Sequence, residues 1–360
     1  MPRYFRAVVS PRPLSSSPLN SSCSRLVAGA IAAGAAALLA LSPVSAATAL
    51  SAAGSASTDA TVAAPVTVAV STSAELQSAL DAATPGQVIE LADGTYAGAF
   101  RSSRSGTRES PVTLRGSREA VLTVGSLTGT TAALTLSGKA WNLVGFSVSE
   151  SPTGVILSDS DNSVIDDVAV TTMGSRGIQL RRSSAYVTVR NAMVSDTGIV
   201  SPGAGEGIYV GSAQADWAVV MGSAGKPDRT DHVRIEHSQL VNTAAEGVDI
   251  REGTTGGRVA WNVFDNAGHS RVDSGDSWVD VRGNTTSVWA NAGFTSPTDA
   301  FQVHTDVAGW GLGNRFRDNV VMDAVPGYEV NAGDAGRSTV VYCTYSNAGR
   351  GLSNVPCTAY

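Results

Sequence analysis

Eight copies of one five-residue pattern dictate what this chain can fold into. Ala133–Ser137 reads ALTLS, Gly154–Ser158 GVILS, Gly177–Arg181 GIQLR and Gly207–Gly211 GIYVG. Gly247–Arg251 reads GVDIR, Trp278–Arg282 WVDVR, Ala300–His304 AFQVH and Gly327–Asn331 GYEVN. The copies start 21, 23, 30, 40, 31, 22 and 27 residues apart. The second and fourth positions are apolar and their neighbours vary, as in a strand with one buried face. The shortest interval suits one turn of a parallel β-solenoid, and the longer ones imply loops inserted into a regular coil. Further short apolar strands, such as Val164-Ile165 and Val187–Val189, lie between the copies. A β-sandwich would need Asn-Gly or Asp-Gly hairpin turns between neighbouring runs, and these are scarce. Propeller blades would repeat at about 40–50 residues. With charged residues at only 16% and 38 glycines, helix bundles and coiled coils are disfavoured.

The ends of the coil carry their own signals. Ser73 is placed to N-cap a helix through Glu75, Leu76, Ala79 and Leu80, ended by Pro85-Gly86. The strand Val88–Leu91 and a turn over Asp93–Tyr96 follow. Such a helix would cover the unpaired strand edges of the first rung. Asn142, Asn162, Asn191, Asn262 and Asn319 sit near turns, where stacked amides can bond from rung to rung. Residues 1–46 read as a cleaved export signal: arginines first, an Ala/Gly/Leu-rich run from Leu26 to Leu41, then Val44-Ser45-Ala46 for the peptidase. Residues 47–66 are an Ala/Ser/Thr-rich linker, 67–342 the solenoid and 343–360 a tail. Export removes Cys23 and leaves Cys343 and Cys357 as a disulfide pair in an oxidising compartment; with no CxxC, they do not suggest zinc. Losing the signal also takes the formal charge from -6 to about -10, which argues against a nucleic-acid partner. The mature chain is expected to be a secreted monomer with no membrane partner.

The stretch Glu75–Tyr96, the segment Pro111–Gly116 (PVTLRG) and the coil repeats together resemble secreted right-handed parallel β-helix proteins of the pectin-lyase-like fold, over about residues 70–340. That resemblance implies an all-β, single-stranded parallel solenoid with an N-terminal capping helix. The fold hosts lyases, hydrolases and non-catalytic surface proteins, so function must come from the side chains that the coil aligns.

Equivalent positions on successive rungs lie roughly 4.8 Å apart. The third position of each copy gives an outward column of Thr135, Ile156, Gln179, Tyr209, Asp249, Asp280, Gln302 and Glu329. The fifth gives Ser137, Ser158, Arg181, Gly211, Arg251, Arg282, His304 and Asn331. Glu206, Glu246 and Asp299, just before their copies, extend the ionisable patch. The insertions flank the same rungs and should wall a groove. A surface ion-pair network is the bland explanation; an acidic sugar or a cation explains better why aspartates are stacked.

Three chemistries fit. In the first, GVDIR followed by VDVRG resembles the base-and-arginine pair of alginate lyase and chondroitinase B-type polysaccharide lyases. By that resemblance Arg251 occupies the position of the lysine base and Arg282 that of the arginine. Tyr209 and His304 are available for acid–base work, and Arg181, Glu206, Glu246, Asp249, Asp280 and Gln302 for substrate binding in a β-elimination of an acidic, uronate-containing polysaccharide. In the second, Asp249 and Asp280 serve a glycoside hydrolase as a carboxylate pair. The third is a non-catalytic carbohydrate- or surface-binding solenoid, with Trp217, Trp261, Trp278, Trp289 and Trp310 as stacking faces. Glu246, Asp249, Asp276 and Asp280 also supply hard oxygen donors suited to Ca²⁺. Lys226, in an inserted loop, reads first as a solvated loop residue and, as the alternative, as a substitute base.

Overall fold

The computed structural model describes residues 66–360. The expected export signal and all but the last residue of the expected linker lie outside the described residues. From Thr67 onward the chain winds a right-handed parallel β-helix whose strands stack into three sheets. The first sheet has 11 strands, from Thr67–Val70 to Val340–Val341; the second has nine, from Gly94–Ala97 to Val320–Val321. The third also has nine, from Phe100–Ser102 to Val330–Asn331. Each coil visits the three sheets in that order. The alternation read from the sequence works as expected: the apolar positions turn inward and stack, as Ile178, Ile208, Val248, Val279 and Phe301 do on the third sheet, all fully buried.

Register follows the sequence alignment through seven rungs and then departs from it. Val330, rather than Tyr328, pairs with Phe301, and Asn331 takes the column position expected for Glu329. The last interval is therefore 29 residues rather than 27. A slip of two keeps every side chain on its own face, so alternation cannot detect it. Asp299 fixes the observed register: one carboxylate oxygen accepts the Tyr328 backbone N–H at 2.6 Å and the other the Asn331 amide at 2.9 Å. Glu329 is left buried, and burial pushes its carboxyl up to about 7.

Both ends of the coil are closed. Helix α1 spans Ser73–Ala82, but its N-cap is Thr72, one residue earlier than expected, because Thr72 and Glu75 form a reciprocal capping box. Leu76, Ala79 and Leu80 face the core. The Gln77 side-chain amide donates to the Arg101 carbonyl at 2.9 Å and accepts the Arg101 N–H at 3.1 Å. It gives the edge strand Phe100–Ser102 the two bonds that a neighbouring strand would give. The turn expected over Asp93–Tyr96 is instead the strand Gly94–Ala97; buried Tyr96 anchors it by donating to the carbonyls of Val70 and Ala92. At the other end the tail folds back, with Val330 N–H bonded to Leu352 and Thr358 paired with Tyr342. The Cys343–Cys357 disulfide closes that tail.

The asparagine stack is present but shorter and differently composed. Asn262, Asn291 and Asn319 form a buried ladder: the Oδ1 of each higher residue accepts both the backbone N–H and the amide of the one below, at 3.0–3.1 Å. Each Nδ2 also donates to a strand carbonyl, Ile235, Val259 or Val288. Asn191 instead bonds Asp166 at the surface. Asn291→Ala strips partners from the Asn262 N–H, the Asn319 oxygen and the Val259 carbonyl. It should cost about 3 kcal/mol in equilibrium denaturation, while exposed Asn191→Ala should change stability by less than about 0.5 kcal/mol.

Candidate active site

The third sheet brings Gln179, Tyr209, Asp249, Asp280 and Gln302 into one outward column in strict ladder register. Outward does not mean exposed here. Tyr209 keeps 5% of its surface and Asp280 none, because insertions rise on both sides of these rungs. On one side lie residues 198–206 and 266–277, which meet where Gly203 packs against Asp273. On the other lie 211–233 and 304–314, bridged by the Arg229 guanidinium over the Trp310 ring at 5.9 Å. Buried Asp228 anchors the 211–233 insertion by accepting from the backbones of Arg182 and Ser183 and the hydroxyls of Ser212 and Thr230. The carboxylates of this column pair with guanidiniums and are held largely out of water.

Guanidiniums and carboxylates interleave across the column. Arg282 Nη1 stands 2.5 Å from Asp280 and 3.4 Å from Asp249, while its Nε reaches Asp306 at 3.1 Å. Arg251 contacts Asp249 and Glu252, each at 3.3 Å. Arg176 grips Glu206 at 2.9 Å and lies over the Tyr209 ring, 4.1 Å from its centroid. Arg251 stands 6.0 Å from the centroid of the same ring. The side chains of Arg251 and Arg282 remain 18% and 11% exposed, so a ligand can reach them.

Burial sets the protonation states. It raises the carboxyls of Glu206 and Glu246 above their ordinary range; neighbouring Asp249 and Asp280 push Glu246 further. Burial lifts Asp280 to about 6 against the pull of Arg282 and His304. Burial and the Asp249 charge raise the Tyr209 phenol, which keeps its proton at any working pH. Burial works against the charge on Arg251 and Arg282, but the aspartates outweigh it and hold both cations fully protonated.

His304 closes the column. Its Nε2 lies 3.1 Å from Gln302 Oε1 and 3.5 Å from Asp280. Gln302 turns its Nε2 to Asp276 at 3.0 Å, Thr298 at 3.0 Å and Asp299 at 3.3 Å. Carboxylates accept only, so the Gln302 amide has one allowed orientation, and its Oε1 must accept from His304. Nε2 therefore carries a proton, and Nδ1 has no hydrogen-bond partner among the described residues.

The sequence-derived residues are brought together with four exceptions. Arg181 stands at the margin near Asp228, and its charged form is disfavoured by burial and by Arg182. Asp276 is occupied by Gln302, away from the Asp249–Asp280 pair. Glu329 has left the column. Lys226 is exposed on its insertion. Of the five tryptophans, Trp217 and Trp278 are buried packing residues. Arg176 was missed, although it precedes its repeat copy as Glu206 and Glu246 precede theirs. Among the described residues no three His, Cys, Asp or Glu side chains are placed to hold a metal ion.

The all-parallel solenoid places the chain among the pectin-lyase-like β-helix proteins. The solved structure of an alginate lyase from Paenibacillus sp. str. FPU-7 is similar to this chain at 34% identity, covering 80% of this chain and 97% of that one, with a TM-score of 0.74. Pectate lyase Pel9A shares the fold at 15% identity and a TM-score of 0.52, covering 71% of this chain and 72% of that one. A GH136 lacto-N-biosidase from Eubacterium ramulus shares it at 11% identity and 0.54, covering 82% and 67%. No curated protein matches the sequence. Residues 95–296 match the family model described as periplasmic copper-binding protein (NosD). The chain belongs to that NosD family, and to the family of the Paenibacillus alginate lyase.

The copper in that description does not fit these residues. Copper favours thiolate, thioether or imidazole donors, yet Cys343 and Cys357 are tied in a disulfide. His232 stacks on Tyr186, His237 stacks on Trp261, His269 lines a separate surface pocket with Thr172 and Asp196, and His304 faces Gln302, so among the described residues the imidazoles do not converge on one site. No chemistry is therefore derived through copper.

Because the folded state holds the Asp280 proton more tightly than the unfolded chain, Asp280 stabilises most below its ordinary 3.8. That contribution is lost as pH rises to about 6. The unfolding free energy of the wild type minus that of Asp280→Asn should decline across this interval and level off above it; a difference that rises would refute the assignment.

Proposed function

We propose that the chain is an exported polysaccharide lyase that cleaves a uronate-containing polysaccharide by β-elimination. What carries this reading is a pair of permanently charged guanidiniums on adjacent rungs, next to one imidazole whose Nδ1 has no partner among the described residues. Elimination requires that the C5 carboxylate be neutralised, that the C5 proton be taken, and that the leaving O4 be protonated. Arg282 and Arg251 supply the first requirement. Their raised pKa values make them poor bases, so they are assigned to carboxylate recognition and not to proton transfer.

Tyr209 and His304 stand three rungs apart, roughly 14 Å along the coil, too far to serve the same sugar ring. His304 is 32% exposed and has a free Nδ1, so it takes the proton work. Nδ1 accepts the C5 proton, the C5–H electrons form the C4=C5 bond, and the C4–O4 bond breaks. The imidazolium then returns the proton to O4. Tyr209, always protonated, donates its hydroxyl to a neighbouring sugar.

A hydrolase with Asp249 and Asp280 as its pair is disfavoured, because both carboxylates are engaged by one guanidinium instead of flanking a scissile bond. The export signal in residues 1–46, together with the disulfide, supports action outside the cytoplasm.

Alginate incubated with the protein should gain the ultraviolet absorbance of a C4=C5 double bond conjugated to the carboxylate; a flat trace with no new reducing ends would favour a binding protein. His304→Ala should lower kcat by about 10²–10⁴, and Arg282→Ala should lower kcat/KM by about 10². Tyr209→Phe should act mainly on KM, and if it abolished kcat while His304→Ala did not, the proton role would belong to Tyr209. Because arginines supply the neutralising charge, a chelator should leave the rate unchanged; a loss restored by Ca²⁺ would mark a calcium-dependent reaction.

A further inference from the structure

The first sheet carries a second feature, on a different face of the coil from the Arg–Asp column. Over most of its length its outward charges cancel between or along rungs: Glu90 with Arg115 at 2.6 Å, Asp166 with Arg190 at 2.7 Å, and Arg234 with Glu236 at 2.9 Å. From Arg258 onward the pattern breaks. Arg258, Ser287 and Arg315 occupy one ladder column, with Trp289 and Arg317 beside them in the next. Among the described residues neither Arg258 nor Arg315 is paired with a carboxylate, and both are exposed. Arg317 pairs with Asp318 and lies 5.5 Å from the Trp289 ring centre. These rungs hold a cationic surplus on a chain whose net charge is -6.

Aromatic rings fill the same surface. Trp289 meets 45%-exposed Trp261 edge-on at 5.4 Å, and Tyr342 stacks on Tyr360 at 5.0 Å. Arg258, Trp289, Arg315, Arg317, Tyr342 and Tyr360 line an open groove of about 570 Å³. Two like charges two rungs apart repel one another and gain nothing from the fold, so their position calls for an anionic occupant. Guanidinium forks suit carboxylates, and exposed indole and phenol rings offer flat apolar faces with polar edges, complementary to the alternating C–H and hydroxyl faces of a sugar ring.

We infer that this groove is a second, non-catalytic binding site for an anionic polysaccharide strand, with Arg258 and Arg315 on the carboxylates and Trp289 under a sugar ring. The inference rests on the uronate reading for the ligand class, but not on catalysis. The site would keep the enzyme on its polymer between cuts.

The test is native electrophoresis of the full chain in gels containing sodium alginate, against plain gels and gels containing neutral dextran. The Arg282→Ala variant serves as background, so that the polymer is not consumed. Alginate, and not dextran, should retard the background protein, and adding Arg258→Ser/Arg315→Ser or Trp289→Ala should weaken retardation at least tenfold. In the otherwise wild-type chain, the double serine variant should cleave short alginate oligosaccharides at the wild-type rate. Unchanged retardation in the serine and Trp289 variants would overturn the site, as would retardation by duplex DNA equal to that by alginate. Absent retardation with intact cleavage would overturn the site alone. Absence of both would overturn the uronate reading along with it.

Discussion

Stacking in register sets each outward position of one coil directly over the same position of the next, at a distance fixed by backbone hydrogen bonds. A globular fold gathers an active site from distant loops; here a single column writes it along one direction. Inward Ile, Val and Phe hold the register, and outward chemistry follows from it. Asp249 and Asp280 stand side by side because Val248 and Val279 do. A polymer laid along the third sheet meets the rungs at even intervals, a geometry suited to repeating sugars.

That regularity carries an electrostatic cost. Glu206, Glu246, Asp249, Glu252 and Asp280 are all buried beside the partly buried Arg176, Arg251 and Arg282. Removing any one arginine would leave carboxylates without a counter-charge in a place water does not reach. Burial and the neighbouring carboxylates make Glu206, Glu246 and Asp280 hold their protons more tightly than exposed carboxyls do. The arginines gain a rigid mount: their positions are set before a ligand arrives, so little reorganisation is needed to meet its carboxylate.

Much of this was legible because two periodicities coincide, alternation along a strand and recurrence along the coil. The Tyr209–Asp249–Asp280–Gln302 column needed nothing more. What escaped were features that neither period encodes. A two-residue slip leaves alternation intact, so the replacement of Glu329 by Asn331 in the column went unseen. Asn291 lies in the ladder with Asn262 and Asn319, yet asparagines at turns are too common to reveal which of them stack. Insertion lengths located the walls without identifying Asp228 as an anchor, because its partners are mostly backbone groups and hydroxyls. The one-residue shift of the cap from Ser73 to Thr72 turned on which of two adjacent hydroxyls could share Glu75.

The Gln77 amide has a wider consequence. It occupies the Arg101 N–H and C=O, through which the edge strand Phe100–Ser102 could otherwise recruit another peptide, with the donor and acceptor geometry of a backbone unit. That edge of the third sheet therefore ends in a side chain that takes a strand's place, as a chain terminator ends a polymer. Length in such a molecule becomes a modular quantity. Whole turns can be gained or lost between the two closures with little effect on either, and the reach of the groove along a polysaccharide can be adjusted one rung at a time.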